Sequence, residues 1–299
     1  MIDKGRMTDL VIGGNGNLGR HLLTRLPSAI STSRDGRSGE RLDIRNREQV
    51  LEVVGRTQPR CVINTAAMTS VDGCERDEGA AHAIHVEGTA NLVHACEQTG
   101  SRLIHMSTNY VFDGDSGPYG EDDAPNPLSV YGRTKLESEG LVTGADCAGL
   151  VVRTAVFYGP EFDKPNFVTW ALRELLLNHE VRIVTDEWAN PTHVPELSEA
   201  IISLAGSPDT SGVIHAAGND FLSRYDMIKT LIEVFDLDSS LVHAVRSEEL
   251  GQAAKRPSRA GLKTARIHSI VDGVFRSYRE NLVSLKDYLV DPARWARTS

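Results

Sequence analysis

The sequence predicts an α/β protein built on a doubly wound parallel β-sheet. Three observations lead to this fold class. An apolar strand-like run, TDLVIGG, passes directly into glycines at 13, 16 and 19 and then into the helical run RHLLTRL. Strand-like and helix-like segments alternate from there to Val152. Strands such as RCVINTAA are apolar and β-branched, which is typical of parallel strands buried on both faces.

Bulk composition restricts the class of protein. The chain has 299 residues and a formal net charge of −9, which argues against general nucleic-acid binding. No apolar run approaches the roughly 18–20 residues that cross a bilayer, so no membrane partner is expected. The four cysteines are scattered and the ten histidines lack ligand spacing, so we expect no disulfide framework and no metal site. The sequence therefore predicts a soluble, cytoplasmic protein.

The glycine-rich turn after the first strand predicts a dinucleotide site. Glycine allows a tight turn and a close approach to a pyrophosphate. The helix that follows offers its first-turn amides and the positive end of its dipole to phosphate. Gly13, Gly16, Asn17, Leu18 and Gly19 are the candidate cofactor-binding residues of this turn.

The end of the second strand, SAIST, predicts the type of cofactor. A Rossmann sheet places its ribose selector there, and arginine accommodates the 2′-phosphate of NADP whereas an acidic residue favours NAD. Ser33 and Arg34 therefore favour NADP(H), with NAD(H) still possible because Asp35 follows directly. The alternative is that Arg34 is a solvated loop arginine.

Two further strand ends supply candidate cofactor contacts. Asp43 and Ile44 are expected to end a short strand in LDIRN, and Ala66 and Ala67 follow the strand CVIN. Small residues at the carboxyl end of a parallel strand let a cofactor come close.

The stretch from Ser107 to Lys135 holds the candidate catalytic residues. Tyr131 and Lys135 are four residues apart in a helical segment, so the phenol and the ammonium share one face. A neighbouring ammonium is expected to lower the pKa of a phenol, which suits proton transfer to or from a substrate oxygen. Thr108, at the end of the strand SRLIHMST, can hydrogen-bond the same oxygen. Alone, the Y-x-x-x-K spacing is also common in ordinary amphipathic helices.

In the second half of the chain, predicted strands and helices alternate less regularly. We expect residues 7–155 to form the nucleotide-binding domain, with added segments near 190–217, and residues 156–299 to form mainly a smaller substrate-binding lobe. A basic cluster in this half would suit the pyrophosphate of an anionic substrate, and otherwise it is a solvated loop. It comprises Lys255, Arg256, Arg259, Lys263 and Arg266.

Several segments resemble one branch of the extended short-chain dehydrogenases/reductases. The branch is the dTDP-4-dehydrorhamnose reductase family with the related beta subunit of methionine adenosyltransferase. STxYVFDG together with VYGRTK is specific to it. The segments are GGNGNLG, INTAAMTSVDGCE, STNYVFDG, PYGEDDAPNPLSVYGRTKLESE, VVRTAVFYG, NPTHV and KRP.

The resemblance implies a function and roles for individual residues. Thr108, Tyr131 and Lys135 match the family's catalytic triad, in which Tyr131 would protonate a C4 ketone that receives hydride from NAD(P)H. Lys135 would hold the nicotinamide ribose, so Tyr131 and Lys135 also count as cofactor-binding residues. The implied substrate is a nucleotide-linked deoxysugar of the dTDP-rhamnose type. Whether the protein forms a homodimer is left open.

Four positions depart from the family pattern. Asn109 replaces an aspartate, Val156 replaces a tryptophan that packs on the sugar, His85 replaces an asparagine, and Lys263 replaces an aspartate. Asn109, Val156 and Arg256 are the candidate substrate-binding residues. Phe157, Tyr158 or Trp188 is expected to take over the role of the missing tryptophan; the alternative is an open pocket, which would suit a regulatory protein. Two alternatives to the reductase stay open. One is a non-catalytic NADP-binding regulatory subunit, and the other is a sugar-nucleotide epimerase.

Overall fold

A seven-stranded parallel sheet forms the centre of the computed structural model. The structure describes residues 8–160, 165–271 and 273–289; the predicted outer domain limits at 7 and 299 lie outside the described residues. The strand order is β11-β6-β5-β4-β1-β2-β3. These strands are β1 (Asp9–Ile12), β2 (Ile30–Ser33), β3 (Glu40–Arg41), β4 (Cys61–Asn64), β5 (Arg102–Thr108), β6 (Gly149–Thr154) and β11 (Gly212–His215).

Helices cover both faces of the sheet because its strands are apolar at successive positions. Leu10 and Val62 pack on one face, while their neighbours Val11 and Ile63 pack on the other. The first face meets α2 (Arg47–Thr57) and α5 (Gly88–Thr99), and the second meets α1 (Asn17–Arg25) and α8 (Val194–Ala205). The predicted fold class, a doubly wound parallel sheet of the Rossmann type, is confirmed.

The β1–β4–β5–β6 register places four strand ends at one edge. Ile12 pairs with Asn64, Asn64 with His105, and Thr108 with Thr154. In parallel doubly wound sheets, ligands bind outside this carboxyl edge. The expected strand at Asp43 and Ile44 is shorter than predicted, because β3 ends at Arg41 and these two residues lie in the loop after it.

Further helices flank the cofactor edge of the sheet. On the α2 side lie α3 (Val71–Arg76), α4 (Glu78–His82), a π-helix at Ala83–Glu87 that joins α4 to α5, and α6 (Val130–Thr143). A 3₁₀ turn at Asn109–Val111 follows β5.

Most of the remaining elements pack around a separate apolar cluster formed mainly by the second half of the chain, whereas the helix at Ala265–Ile270 packs with α1 and α8 through Ile267. The strands pair as β7 with β10, β9 with β12, and β8 with β13. Their bounds are β7 (Phe157–Tyr158), β8 (Val181–Val184), β9 (Trp188–Ala189), β10 (Thr192–His193), β12 (Leu222–Ser223), β13 (Val242–Val245), α7 (Phe167–Leu176), α9 (Arg224–Phe235), α10 (Ala265–Ile270) and α11 (Tyr278–Leu289), with 3₁₀ turns at Ser239–Leu241 and Ser247–Leu250.

No helix of the described ranges is both long and apolar enough to cross a membrane. Across the same ranges, no group of three or more histidine, cysteine, aspartate or glutamate side chains is placed to hold a metal ion.

Candidate functional site

One large cavity, of about 690 Å³, opens at the carboxyl edge of the sheet. Its floor runs from the glycine turn after β1 to the loop after β6, so it extends across the whole nucleotide-binding edge and into the second lobe. The cavity is lined by nearly all of the predicted site residues: Gly13, Gly16, Asn17, Leu18, Gly19, Arg34, Asp43, Ile44, Ala66, Ala67, Thr108, Asn109, Tyr131, Lys135 and Val156.

The glycine turn has the geometry that a bound pyrophosphate needs. Gly13 has φ +84°, and a Cβ added at Gly19 would lie 2.4 Å from the Gly13 carbonyl oxygen. The turn is anchored to the neighbouring strand, since the Gly13 and Gly14 amides donate to the Thr32 carbonyl. Gly16 occupies the N-cap of α1 and supplies no side-chain cap, so that helix end presents its dipole to the cavity. The residues present here fit a dinucleotide phosphate.

The two predicted ribose-selecting residues have different environments. Arg34 is exposed and lines the cavity. Ser33 is only 1% exposed, and its hydroxyl donates to Asp35 Oδ1 and accepts from the Ser38 amide. The side-chain role predicted for Ser33 is therefore not supported, because its hydroxyl is committed to shaping its own loop.

A second arginine at this end was missed from the sequence. Arg45 lines the cavity and forms a two-pronged ion pair with Asp43, with Nη2 2.6 Å from Oδ2. That hydrogen bonding holds the pKa of Asp43 below its usual value. In the sequence, the only indication that Arg45 belongs to the site was its position two residues after the predicted cofactor-binding residue Asp43.

The loop after β4 approaches the glycine turn closely. Thr65 Oγ1 donates to the Ile12 carbonyl over 2.7 Å, and the Ala66 amide donates to Asn64 Oδ1 over 3.1 Å. The methyl side chains of Ala66 and Ala67 line the cavity beside Gly13. Larger residues at these two positions would occupy space that a cofactor needs.

Tyr131 lies at the start of α6, whose N-cap, Ser129, accepts from the Gly132 amide. Its ring stands edge-on to those of His85 and Tyr110, each at 5.7 Å between centroids. Burial raises the pKa of Tyr131 to about 12, and a hydrogen bond to Thr108 acts in the opposite direction. The phenol is thus protonated at neutral pH, which suits an acid that donates to a substrate oxygen.

Lys135 differs from the sequence prediction. The side chain is 2% exposed, and its ammonium donates to the Met106 carbonyl over 2.6 Å. Burial lowers the pKa of Lys135 to about 8, opposed by Glu139. The predicted lowering of the Tyr131 pKa by Lys135 is not seen, because the amine is engaged along β5 and burial dominates the phenol.

A buried histidine sits against the Lys135 amine. Asn64 uses Oδ1 to accept from a backbone amide, so its Nδ2 donates to His105 Nδ1 over 3.1 Å. Neutral His105 then carries its proton on Nε2, 3.0 Å from Ser138 Oγ and 2.9 Å from Lys135 Nζ. An ammonium facing that N–H would place two donors together, so this contact favours the neutral amine.

His85 is a second buried histidine that sequence reasoning did not assign to the site. It is 1% exposed; its Nε2 accepts from the Met68 amide over 3.1 Å, and its Nδ1 lies 2.8 Å from Thr134 Oγ1. Burial lowers the pKa of His85 to about 3. The ring thereby ties the loop after β4 to α6 at the turn that carries Tyr131. In the sequence, the only indication that His85 matters to the site was that it replaces the family's asparagine.

Of the three predicted substrate-binding residues, the structure brings two together in the cavity and places the third elsewhere. Asn109 is 3% exposed and donates to the Ala260 carbonyl over 2.8 Å. Val156 lines the cavity near Asn109. Arg256 is paired with Asp72, Nη2 to Oδ2 3.0 Å, and is not among the described residues that line the cavity. A direct substrate contact from Arg256 is therefore not supported, since Asp72 occupies its guanidinium.

The basic cluster likewise does not act as one group. Arg266 pairs with Asp122 at 3.0 Å, and Arg259 lies over the rings of Trp188 and Phe221 at 4.9 and 5.3 Å. Because these arginines engage different parts of the fold, they do not form a single anion clamp.

Of the three aromatics expected to replace the tryptophan, Phe157 lines the large cavity, Trp188 lies beside it, and Tyr158 is fully buried in the core.

Comparison with known proteins agrees with this geometry. The family model described as "RmlD substrate binding domain" matches residues 7–290. A dTDP-4-dehydrorhamnose reductase from Mycobacterium tuberculosis is 36% identical over 272 residues, covering 87% of this chain and 86% of the relative. Methionine adenosyltransferase 2 subunit beta from Bos taurus is 30% identical over 267 residues, covering 87% and 79%.

The solved structures include a dTDP-4-dehydrorhamnose reductase from Bacillus anthracis in complex with NADP. It superposes with a TM-score of 0.86 at 28% identity and covers 95% of this chain and 99% of that one. The resemblance drawn from STNYVFDG and VYGRTK is confirmed: the chain belongs to the RmlD substrate-binding-domain family.

Proposed function

We propose that this chain is an oxidoreductase that uses NAD(P)H to reduce the C4 ketone of a nucleotide-linked 6-deoxysugar. The observation that carries the proposal is the shared cavity. A protonated phenol, Tyr131, and the hydroxyl of Thr108 line the same 690 Å³ space as the glycine turn. The names of the M. tuberculosis and B. anthracis relatives support the same reaction and the dTDP-linked substrate class.

The proposed cofactor is NADP(H), with NAD(H) as a weaker substitute. Arg34 is exposed and lines the adenosine end of the cavity, which favours a 2′-phosphate over a free hydroxyl. The B. anthracis relative was solved with NADP. Asp35 lines the same end and is the residue that would tolerate NAD.

The chemistry needs one hydride and one proton. When bound, a reduced nicotinamide supplies the hydride to the carbonyl carbon. Tyr131 donates its phenolic proton to the carbonyl oxygen as the C=O bond becomes a C–O–H group. Thr108 hydrogen-bonds the same oxygen and holds it toward the phenol. Lys135 lies one turn along α6 from Tyr131 and is the residue proposed to bind the ribose of the cofactor.

A second candidate is a non-catalytic NADP-binding subunit. Two observations favour it: the B. taurus relative is a methionine adenosyltransferase subunit, and Val156 leaves the sugar pocket without the family's tryptophan. The two candidates share the cofactor site and differ in turnover.

A turnover assay separates them. NADPH consumption is measured with a panel of dTDP- and UDP-linked 4-keto-6-deoxysugars. We expect steady oxidation with at least one of them, and a Tyr131→Phe variant that binds NADPH as tightly but turns over about 10²–10⁴-fold more slowly, the usual share of one acid–base group. A native protein that binds NADPH and oxidises it with no member of the panel would favour the regulatory subunit. Native-like turnover in Tyr131→Phe would remove that phenol from the mechanism.

A further inference from the structure

A second, much smaller cavity lies beside the sugar end of the large one. Its volume is about 10 Å³, close to the smallest cavity that can hold one water-sized group. It shares Asn109, Tyr110, Val156 and Arg224 with the large cavity, and Glu187 completes its polar wall. The small cavity is thus a side pocket of the site, at the position where Val156 stands in place of a tryptophan.

Arg224 is fixed in this wall. It is the first residue of α9, directly after the Ser223 cap, and its side chain is 15% exposed. Its guanidinium carbon lies 4.6 Å from the centre of the Phe167 ring. Burial raises the pKa of the Tyr110 phenol, and the charge of Arg224 acts in the opposite direction. Stacking on Phe167 orients the guanidinium, and Nη1 is buried with no hydrogen-bond partner among the described residues.

Glu187 faces Arg224 with an unused acceptor. The two residues are joined through the backbone, since the Arg224 amide donates to the Glu187 carbonyl over 2.9 Å. The closest approach of the side chains is 3.9 Å, from Nε to Oε2, which is too long for a hydrogen bond. Glu187 is 9% exposed, and its Oε1 is buried without a partner in the described part of the chain. A buried donor and a buried acceptor that both lack partners cost stability unless a ligand serves them.

The local charges indicate what kind of group fits. The two arginines here, Arg224 and Arg256, are balanced by two carboxylates, Glu187 and Asp72. An anionic group would be repelled by Glu187, and a cationic group by Arg224. A hydroxyl both accepts and donates, so one hydroxyl can take a hydrogen bond from the guanidinium and give one to the carboxylate.

We propose that Arg224 and Glu187 form a specificity pair that hydrogen-bonds the 2- or 3-hydroxyl of the sugar ring. The Tyr110 ring connects the pair to the reaction centre, because its centre lies 5.7 Å from that of the Tyr131 ring and it lines both cavities together with Arg224. Val156 cannot stack on the sugar as a tryptophan would, so the Arg224–Glu187 pair recognises the sugar by hydrogen bonding instead. This inference rests on the proposed function, since it names the part of the substrate that the same site selects.

Equilibrium binding tests the pair without needing turnover. In the presence of NADP⁺, calorimetry measures the affinity of the native protein for dTDP, for a dTDP-linked 6-deoxyhexose, and for its 2-deoxy and 3-deoxy analogues. We expect the hexose to bind at least tenfold more tightly than one of the two deoxy analogues. Glu187→Gln and Arg224→Met should reduce that ratio to less than threefold, with dTDP and NADP⁺ affinities unchanged. Arg182→Met is the matched control, since this arginine is 54% exposed, pairs with Glu249 and lines neither cavity in the described ranges, and it should keep the native ratio.

Turnover gives a second measurement. Where the native protein reduces 4-keto-6-deoxysugars, kcat/KM should show the same discrimination against a deoxy substrate, and the variants should lose it while keeping turnover of the deoxy substrate. Absence of reduction with retained discrimination in binding would remove the proposed reaction and leave the specificity pair standing. Equal affinity for the hexose and both deoxy analogues, or full native discrimination in both variants, would overturn the pair.

Discussion

At the scale of single residues, burial sets the protonation of the side chains around Tyr131. It raises the pKa of Tyr131 to about 12, lowers that of His85 to about 3 and lowers that of Lys135 to about 8. At pH 7 the phenol holds its proton and His85 is neutral, so neither changes state across the physiological range. Lys135 is the group of the three whose charge changes near neutral pH. Its burial should therefore affect both function and stability.

The first prediction concerns Lys135 and the stability of the fold. Its pKa falls from 10.5 when solvated to about 8 when folded, so the folded state disfavours the charged amine. At about 1.4 kcal/mol per tenfold change in proton affinity, the penalty is about 3 kcal/mol; it is complete below pH 8 and vanishes as pH rises to 10.5. Lys135→Met removes the penalty but also loses the bond to the Met106 carbonyl. We expect the variant to unfold at an equal or higher temperature than the native protein at pH 7.

Thermal unfolding at pH 7 and at pH 9.5 measures this effect. From pH 7 to pH 9.5 the melting temperature of the native protein should rise relative to that of the variant, because the Lys135 amine becomes neutral. NADPH oxidation should be lost in the variant at both. A melting temperature several degrees below the native one at pH 7 would show that the buried amine stabilises the fold instead.

The second prediction concerns cofactor choice at Arg34. A charge-assisted bond to a 2′-phosphate contributes about 1.5–3 kcal/mol, so Arg34→Ala should weaken NADPH binding by about tenfold to a hundredfold and leave NADH within about twofold. Fluorescence titration of both cofactors measures the ratio. Arg41→Ala is the control, because this exposed arginine on β3 does not line the cavity in the described ranges. An unchanged NADPH affinity would place Arg34 in solvent, with Arg45 as the next candidate.

At the scale of elements, the glycine turn and the helix it starts are the part of the site that local sequence determines. Strand, glycine turn and helix follow one another within 17 residues, and the positions of Gly13 and Gly19 meet the steric demand directly. Ser33 and Arg256 show why other residues could not be placed. Whether a side chain faces a ligand or a partner within the protein depends on contacts such as Arg256–Asp72, which joins residues 184 positions apart. No local pattern reveals such a pairing.

The third prediction tests the turn with a matched pair of glycines. A Cβ at Gly19 would lie 2.4 Å from the Gly13 carbonyl oxygen, so Gly19→Ala forces the turn to move. Gly55, inside α2, has no heavy atom within 4 Å of an added Cβ. We expect Gly55→Ala to stabilise the protein by about 0.5–1 kcal/mol with unchanged NADPH affinity, and Gly19→Ala to lower that affinity at least tenfold. Native NADPH binding by Gly19→Ala would show that the turn adapts and that its glycines are not required for phosphate contact.

At the scale of the whole molecule, the carboxyl edge of the sheet joins the two halves of the chain. The last strand of the sheet, β11, comes from the second half and pairs with β6. The walls of the cavity come from both halves, from the glycine turn to Arg224. The alternation of strands and helices predicted the sheet, whereas the return of the chain at β11 follows from a pairing 62 residues away. The division at residue 155 stays a prediction.

A buried ion pair fastens the catalytic helix to the centre of the sheet. Arg153 on β6 and Glu139 on α6 are each 4% exposed and form a two-pronged pair, with Nη2 2.7 Å from Oε2. Ser107 on β5 also donates to Glu139, one residue before Thr108. Arg153 further stacks on the ring of Phe112, with the guanidinium 5.1 Å from its centre. Removing one partner should therefore disturb both stability and the position of the proposed catalytic residues.

The fourth prediction compares a half-broken pair with one removed entirely. Glu139→Gln leaves the Arg153 guanidinium buried without its carboxylate, which should cost about 3–5 kcal/mol of unfolding free energy. The double variant Glu139→Leu with Arg153→Met removes both charges and should recover most of that loss, because neither ion then has to be desolvated. Urea unfolding measures both variants. Glu199→Gln is the control, since it breaks a pair with Arg25 whose side chains are 48% and 34% exposed and should cost less than about 1 kcal/mol. A Glu139→Gln variant as stable as Glu199→Gln would mean that water reaches the Arg153–Glu139 pair and that other contacts hold α6 on the sheet.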